Sequence, residues 1–201
     1  MNRAMAGELL EALDSPNDNV VNTAVLALAC LEDFRCVPRL VELLAAGSAT
    51  LRASAHHALC RLLDKHTVNS VGVWRHWYKT EAQWLRTSGA RALADLRSRQ
   101  EAKVLDALEV IAAHRLERHR MALDVSLVLR NESLAVRLAA CKTLTGLNSR
   151  WAVHDLREAL LDDSPLLVEA AGLALQSITG ERREATYEAW QDYPAPTPSH
   201  Y

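Results

Sequence analysis

Apolar residues recur at spacings of three and four along most of this chain, which is the period of an amphipathic α-helix. The clearest stretch is VPRLVELLAA, which is followed by a polar break at Gly47-Ser48 and then by ATLRASAHHALCRLL. Two such segments joined by a short break are typical of a helical hairpin. The pattern therefore predicts an all-α chain built from paired helices.

The same pattern repeats along the chain at two offsets. A shift of 31 residues aligns one hairpin with the next, both near the start of the chain and in residues 116–180. A shift of 116 residues aligns the two regions with each other, without a gap between Leu13 and Trp77. The longer shift pairs Leu13 with Leu129, Val20 with Val136, Ala24 with Ala140, Leu28 with Leu144, Val37 with Val153, Leu40 with Leu156, Leu44 with Leu160, Leu51 with Leu167, Ala55 with Ala171, Ala58 with Ala174 and Leu59 with Leu175. Four units in two pairs predict an α-solenoid with an internal duplication.

Several helix boundaries carry their own signals. Ser15-Pro16 and Ser164-Pro165 each place a capping residue before a proline, and Asn131 takes the same role in the third unit. Gly180 follows the last periodic residue, where glycine ends many helices because it adopts the left-handed conformation easily. We expect the second helix of a pair to begin after each of these caps and the last one to end at Gly180.

Two aromatic pairs share the offset of 116. Trp74 and Trp77 lie three apart in GVWRHWYK, and Trp190 and Tyr193 lie three apart in YEAWQDYP. A spacing of three places both rings on one face of a helix. We expect each pair to cover the apolar end of a repeat pair, since the end of a solenoid otherwise exposes its core. The alternative is an exposed aromatic pair that serves as a binding hot spot.

The segments VPRLVELLAAGSATLRASAHHALCRLL and LRNESLAVRLAACKTLTGL resemble HEAT repeats, in particular the short bacterial type of the phycobilisome-lyase class. Val136-Arg137 and Ala139-Ala140 match the VRxAA core of that family, and Pro38 matches its first-helix proline. The resemblance implies a right-handed α-solenoid of the armadillo type. The resemblance is specific for the fold and says little about function. Because stacked helix pairs form a curved, rigid surface, we expect a scaffold, adaptor or assembly factor that binds another protein, without catalysis and without a cofactor or metal.

The repeats divide the chain into two expected modules and a tail. The first module covers residues 1–98 and includes a tryptophan-containing segment at 64–98. The second module covers residues 99–193 and consists of a partial repeat at 99–115, two repeats at 116–180 and an aromatic cap at 181–193. Residues 194–201 are expected to be a disordered tail.

Charge is distributed unevenly along the chain. The formal net charge is −2, yet residues 35–150 carry nineteen bases and ten acids between two acidic ends. The densest basic stretch is HRLERHR, residues 114–120. We interpret it first as a solvated helix face, and alternatively as a docking patch for an acidic protein surface or for nucleic acid.

A partner protein is expected to contact this basic stretch and the second helix of each pair. A surface of this kind favours a partner with an acidic face. The residues predicted to bind the partner are Arg52, His56, Arg61, Arg115, Arg118, Arg120, Arg137 and Lys142.

Two further function classes share the HEAT-like architecture. Nucleic-acid binders of this kind, DNA glycosylases among them, need a basic concave face, and the sequence pI of about 6.4 argues against that class. Bilin lyases are also built on HEAT-like repeats, but cysteine and histidine are not clustered here. The motifs GxxxxGK[ST], GxGxxG, GxSxG and HExxH are absent. Both classes therefore rank below a protein-binding scaffold.

The cysteine pattern and the length of the apolar runs indicate the cellular compartment of the protein. Four separated cysteines without a CxxC motif predict free, buried thiols rather than disulfides or a zinc site. No apolar run is long enough for a signal peptide or a membrane span. We therefore expect a cytoplasmic protein that does not insert into a membrane.

Overall fold

The computed structural model describes residues 3–64 and 68–195. Within these ranges the backbone forms α-helices, short 3-10 turns and one π-helical turn, and it contains no β-strand. The predicted all-α fold is confirmed. None of the helices in the described ranges is long and apolar enough to cross a bilayer. Of the tail at 194–201 that is predicted to be disordered, residues 196–201 lie outside the described residues.

The described residues form two compact units, one ending at Gln83 and the other beginning at Trp84. In unit 1, helix α2 packs against α1 and α4, and α3 packs against α4. Leu28, Leu40, Leu59 and Leu62 are fully buried between these helices. The helices are α1 (Arg3–Ala12), α2 (Asp18–Cys30), α3 (Val37–Ala46), α4 (Ala49–Leu63) and α5 (Val71–Trp84), with a 3-10 turn at Phe34–Cys36.

Unit 2 is built around α9, which packs against α7, α8 and α11. Its buried side chains form one continuous apolar cluster that extends from Ala92 to Tyr193. A π-helical turn at Leu85–Gly89 leads into the helices α6 (Ala90–Asp95), α7 (Glu101–Ala112), α8 (Arg118–Ser126), α9 (Leu134–Leu147), α10 (Val153–Glu158), α11 (Pro165–Thr179) and α12 (Tyr187–Trp190). The 3-10 turns of this unit are Leu127–Arg130, Arg150–Ala152 and Ala159–Leu161.

The division at residue 84 lies before the predicted module boundary at residue 98. The segment between them packs into unit 2, because Ala92 and Leu96 join its core. The Trp84 ring also stacks on the imidazole of His114, with 3.5 Å between ring centroids. Residues 84–98 therefore belong structurally with the second unit.

Helix boundaries recur at the offset of 116. Helices α4 and α11 correspond at both ends, as do the 3-10 turns that begin at Phe34 and Arg150, and α5 and α12 begin at Val71 and Tyr187. Ten of the eleven predicted apolar pairs are buried at both positions. The exception is Val20, which is 43% exposed because Val21 takes the inward position in α2. The periodicity of the sequence therefore identified the inward faces of both units.

The predicted N-cap residue is correct for α11, but in α2 and α9 it lies two residues before the residue that caps the helix. Helix α11 begins after Ser164 at Pro165 and ends at Gly180, which has a φ of 77°. Helix α2 begins after Asn17 rather than Ser15, and α9 begins after Ser133 rather than Asn131. The turns before α2 and α9 hold several polar side chains, and the backbone uses the last of them as the cap.

Gly172 in α11 supplies a test of the packing in unit 2. A Cβ atom at residue 172 would lie 2.5 Å from the Cβ of Ala185, so Gly172→Ala forces α11 and the chain after it apart. We expect the free energy of unfolding in urea to fall by about 2 kcal/mol, although alanine has the higher helix propensity.

Gly146 in α9 is the matched control for Gly172. A Cβ atom there would lie 4.0 Å from the carbonyl oxygen of Ala112, which is an ordinary contact. Gly146→Ala should therefore raise the free energy of unfolding, by up to about 1 kcal/mol. Shifts of the same sign in both variants would contradict the packing described here.

Candidate functional site

A groove of about 560 Å³ lies in unit 2, at the edge formed by the turns between paired helices. One wall comes from the end of α8 and the turn that leads into α9, and the other comes from α10 and the turn that leads into α11. We call it the turn groove. The lining residues that matter for its chemistry are Ser126, Arg130, Arg137, Glu158, Leu161 and Asp163.

A second cavity of about 270 Å³ adjoins the turn groove and shares Arg130 and Asn131 with it. Leu127 lines this second cavity and is 59% exposed. Leu161 lines the turn groove and is 60% exposed. The two leucines give the site an apolar rim.

Ion pairs hold part of the turn groove in place. Arg137 lies 3.3 Å from a carboxylate oxygen of Asp162, and its side chain is only 16% exposed. The same guanidinium donates a hydrogen bond of 2.8 Å to the carbonyl of Asn131. Arg130 lies 3.7 Å from a carboxylate oxygen of Asp155. Arg137 is therefore a fixed part of the wall, in contrast to its predicted role as a free partner-binding side chain.

The predicted partner-binding side chains are divided between the two units. Arg52, His56 and Arg61 belong to unit 1, and the other five belong to unit 2. The side chains divide by exposure into an exposed group of Arg52, Arg61, Arg120 and Lys142, a half-buried group of His56, Arg115 and Arg137, and Arg118, which is buried.

The centre of the basic stretch is buried, which corrects its interpretation as a solvated helix face. Arg118 is 4% exposed and His119 is 3% exposed. One guanidinium nitrogen of Arg118 donates to the carbonyls of Leu147, at 3.2 Å, and Asn148. These carbonyls end α9 and have no partner within that helix. Arg118 therefore satisfies a helix terminus and is not available to a partner protein.

His119 is held by a hydrogen bond and a ring contact. Its Nδ1 lies 2.7 Å from the Oγ of Ser149, which also accepts a hydrogen bond from the backbone N–H of Trp151. The imidazole stacks on the ring of Trp151 at 5.2 Å between centroids. Sequence reasoning missed this cluster because its members are 30 residues apart.

The two aromatic pairs have similar ring contacts. Trp74 with Trp77 and Trp190 with Tyr193 are both T-shaped contacts with 5.8 Å between ring centroids. Trp74 and Trp190 are completely buried, and Tyr193 is buried as well, whereas Trp77 is half-buried. Burial favours the interpretation of these pairs as packing elements over that of exposed hot spots.

The two units satisfy the buried indole N–H groups in different ways. Trp74 donates to the Nδ1 of His56 at 3.2 Å, and Trp190 donates to the backbone carbonyl of Glu184 at 2.9 Å. Residue 172, which corresponds to His56 at the offset of 116, is a glycine against which Ala185 packs. In unit 2 the chain itself therefore occupies the space of the missing imidazole.

The cysteines are all free, but they differ in access. Cys36 and Cys141 are buried as predicted, whereas Cys30 is exposed and Cys60 is half-buried. Burial raises the pKa of the Cys36 and Cys141 thiols to about 12, with the charge of Asp33 adding to the effect at Cys36. Both thiols therefore stay protonated at pH 8, and the thiolate is the reactive form.

Alkylation should distinguish these thiols. At pH 8, iodoacetamide is expected to modify Cys30 first, and Cys36 and Cys141 only after denaturation. Peptide mass spectrometry at increasing reaction times measures the order. Modification of Cys36 or Cys141 at the rate of Cys30 in the folded protein would contradict the burial of these two side chains.

Comparison with known proteins leaves the family open. No family model matches this chain, and no curated protein matches it. A crystal structure described as an engineered protein aligns with 90% of this chain and 98% of its own length, at 14% sequence identity and a TM-score of 0.37. A similarity at that level carries no conclusion about fold or function.

Proposed function

We propose that this chain is a HEAT-like repeat protein that binds another protein without catalysing a reaction, as a scaffold, adaptor or assembly factor. The observation that carries the proposal is the turn groove, a concave surface with the half-buried Arg137–Asp162 ion pair in its wall and the exposed Leu161 at its rim. A mixture of exposed apolar and fixed polar groups is what a protein-binding surface needs.

The helix boundaries support the repeat architecture. The second helices of the four predicted units begin at Asp18, Ala49, Leu134 and Pro165, so the spacing is 31 residues within each unit of the structure. Together with the matched boundaries at 116, this supports two duplicated modules, which we propose to be right-handed solenoids.

The alternative functions have less support from the site. Four acidic side chains line the turn groove against two arginines, and such a surface repels phosphate. His56 contacts the indole N–H of Trp74, and His119 contacts the hydroxyl of Ser149. Both imidazoles therefore take part in packing contacts. Arg52 and Arg61 in unit 1 and Lys142 in unit 2 remain predicted binding residues, and none of them lines the turn groove.

Affinity capture with two matched variants tests the proposal. Leu161 at the groove and Leu173 on the exposed face of the second helix α11 are 60% and 59% exposed, so both changes to serine remove an equally exposed leucine. We expect the wild type and Leu173→Ser to retain the same stoichiometric partner protein after nuclease treatment, and Leu161→Ser to lose it. Loss of the captured partners after nuclease treatment would contradict the proposal and favour nucleic acid as the ligand. Equal retention of the partner protein by the wild type and both variants would exclude the groove as the docking surface.

A further inference from the structure

We infer that the turn groove binds a lysine or arginine side chain of the partner protein, next to an apolar residue that packs on Leu161. The inference rests on the proposed function, since it names the chemistry that the same groove selects. The inferred partner places a positive charge in the groove, whereas the sequence predicts a partner with an acidic face.

The side chains that line the groove carry a net negative charge. Arg137 and Arg130 are paired with Asp162 and Asp155, so these four groups offset one another. Glu158 and Asp163 also line the groove, and neither has an ion pair among the described residues. The two carboxylates leave a net negative charge that attracts a cation and repels an acidic ligand.

A buried serine hydroxyl also lines the groove, separately from the acidic side chains. Ser126 lines the groove, is 2% exposed, and its Oγ has no hydrogen-bond partner among the described residues. Buried hydroxyls nearly always have a partner, so this one calls for an explanation. The ammonium of lysine and the guanidinium of arginine carry donors only, and a serine oxygen accepts from either.

The apolar rim of the groove fits the side chain of a lysine or an arginine. Lysine and arginine place a long aliphatic stem behind the charge, and such stems pack on apolar surface while the charged end reaches a polar group. Leu161, at 60% exposure, supplies that surface beside the two unpaired carboxylates. A free inorganic cation has no stem and would leave Leu161 without a contact.

Nuclear magnetic resonance of the ¹⁵N-labelled full chain tests the inference with three probes. The probes are acetyl-Leu-Arg-Ala-Leu-amide and the same peptide with citrulline or with glutamate in place of arginine. Citrulline keeps the shape of arginine and removes its charge. We expect the arginine peptide to shift the amide signals of Ser126, Asp163 and Ser164 with a Kd of about 1 mM, and the citrulline peptide to bind at least about tenfold more weakly.

Variants identify the acceptors. The double change Glu158→Gln and Asp163→Asn should weaken binding of the arginine peptide about tenfold, and Ser126→Ala about threefold. The matched control is Asp106→Asn with Glu109→Gln, which removes an exposed Asp and Glu from α7. This control should bind the peptide like the wild type.

The outcomes separate the inference from the proposed function. Equal binding of the arginine and citrulline peptides, or equal binding by the Glu158 and Asp163 variant, overturns the inference but leaves the groove as a docking surface. The absence of groove shifts with every peptide also overturns it. If, in addition, Leu161→Ser retains its partner in the capture experiment, the groove has no role in the proposed function.

Discussion

Trp190→Ala is expected to lower the free energy of unfolding by about 4 kcal/mol, the largest effect of any single change considered for this chain. The Trp190 side chain is completely buried, contacts Tyr193 and donates its N–H to the carbonyl of Glu184. Truncation leaves a large cavity and an unpaired carbonyl. Denaturation in guanidinium chloride, followed by circular dichroism, measures the loss.

Two comparisons make the Trp190 prediction specific. Trp190→Phe keeps most of the ring volume and should cost about half as much. Trp77→Ala should also cost less, because Trp77 is half-buried. If Trp190→Ala kept the stability of the wild type and lost the partner protein, the ring would be a binding hot spot rather than a packing element.

Arg118→Met is expected to lower the free energy of unfolding by about 3 kcal/mol. Methionine keeps the aliphatic part of the side chain and removes the donors to the carbonyls of Leu147 and Asn148. Those carbonyls end α9 in a region that water does not reach easily, because Arg118 is 4% exposed. Urea denaturation at constant ionic strength measures the change.

Arg120 is the control for Arg118, two residues away in the same helix. Arg120 is exposed and pairs with Glu117 at 3.3 Å, a surface ion pair of small energy. Arg120→Met should therefore change the free energy of unfolding by less than about 0.5 kcal/mol. Losses of equal size in both variants would show that Arg118 does not have a special structural role.

The inward faces of the helices could be predicted from sequence because they depend on local periodicity. Leu28 and Leu144, or Leu59 and Leu175, are buried at the positions that the spacing of three and four indicates. Gly180 was also predictable, since a residue after the last helical turn often adopts the left-handed conformation.

Contacts between distant residues could not be predicted in the same way. From the sequence, Arg118 is expected to be exposed because it lies in a basic stretch. In the structure it contacts the carbonyls of Leu147 and Asn148 at the end of α9, which are 29 and 30 residues further along the chain. The stacking of Trp84 on His114 similarly assigns a segment to unit 2 without any local signal. Neither contact follows from a helical period.

The sequence contains a weak signal for the turn groove, but helical periodicity alone does not reveal what that signal means. Asn131 and Asp162 occupy equivalent positions 31 residues apart, and Arg137 contacts both, through the carbonyl of one and the carboxylate of the other. The repeated polar turn was visible in the sequence as a possible cap. Its role as a groove wall depends on how α9 and α11 pack.

Site-specific photo-crosslinking in living cells tests the central claim, that the turn groove binds a partner protein, most directly. A benzophenone amino acid replaces Leu161 in one protein and Leu173 in another, at positions of nearly equal exposure. We predict a single discrete protein adduct from residue 161 and none from residue 173. An adduct from residue 173 alone would place the partner on the second-helix face, and adducts of equal yield from both would contradict a specific docking groove.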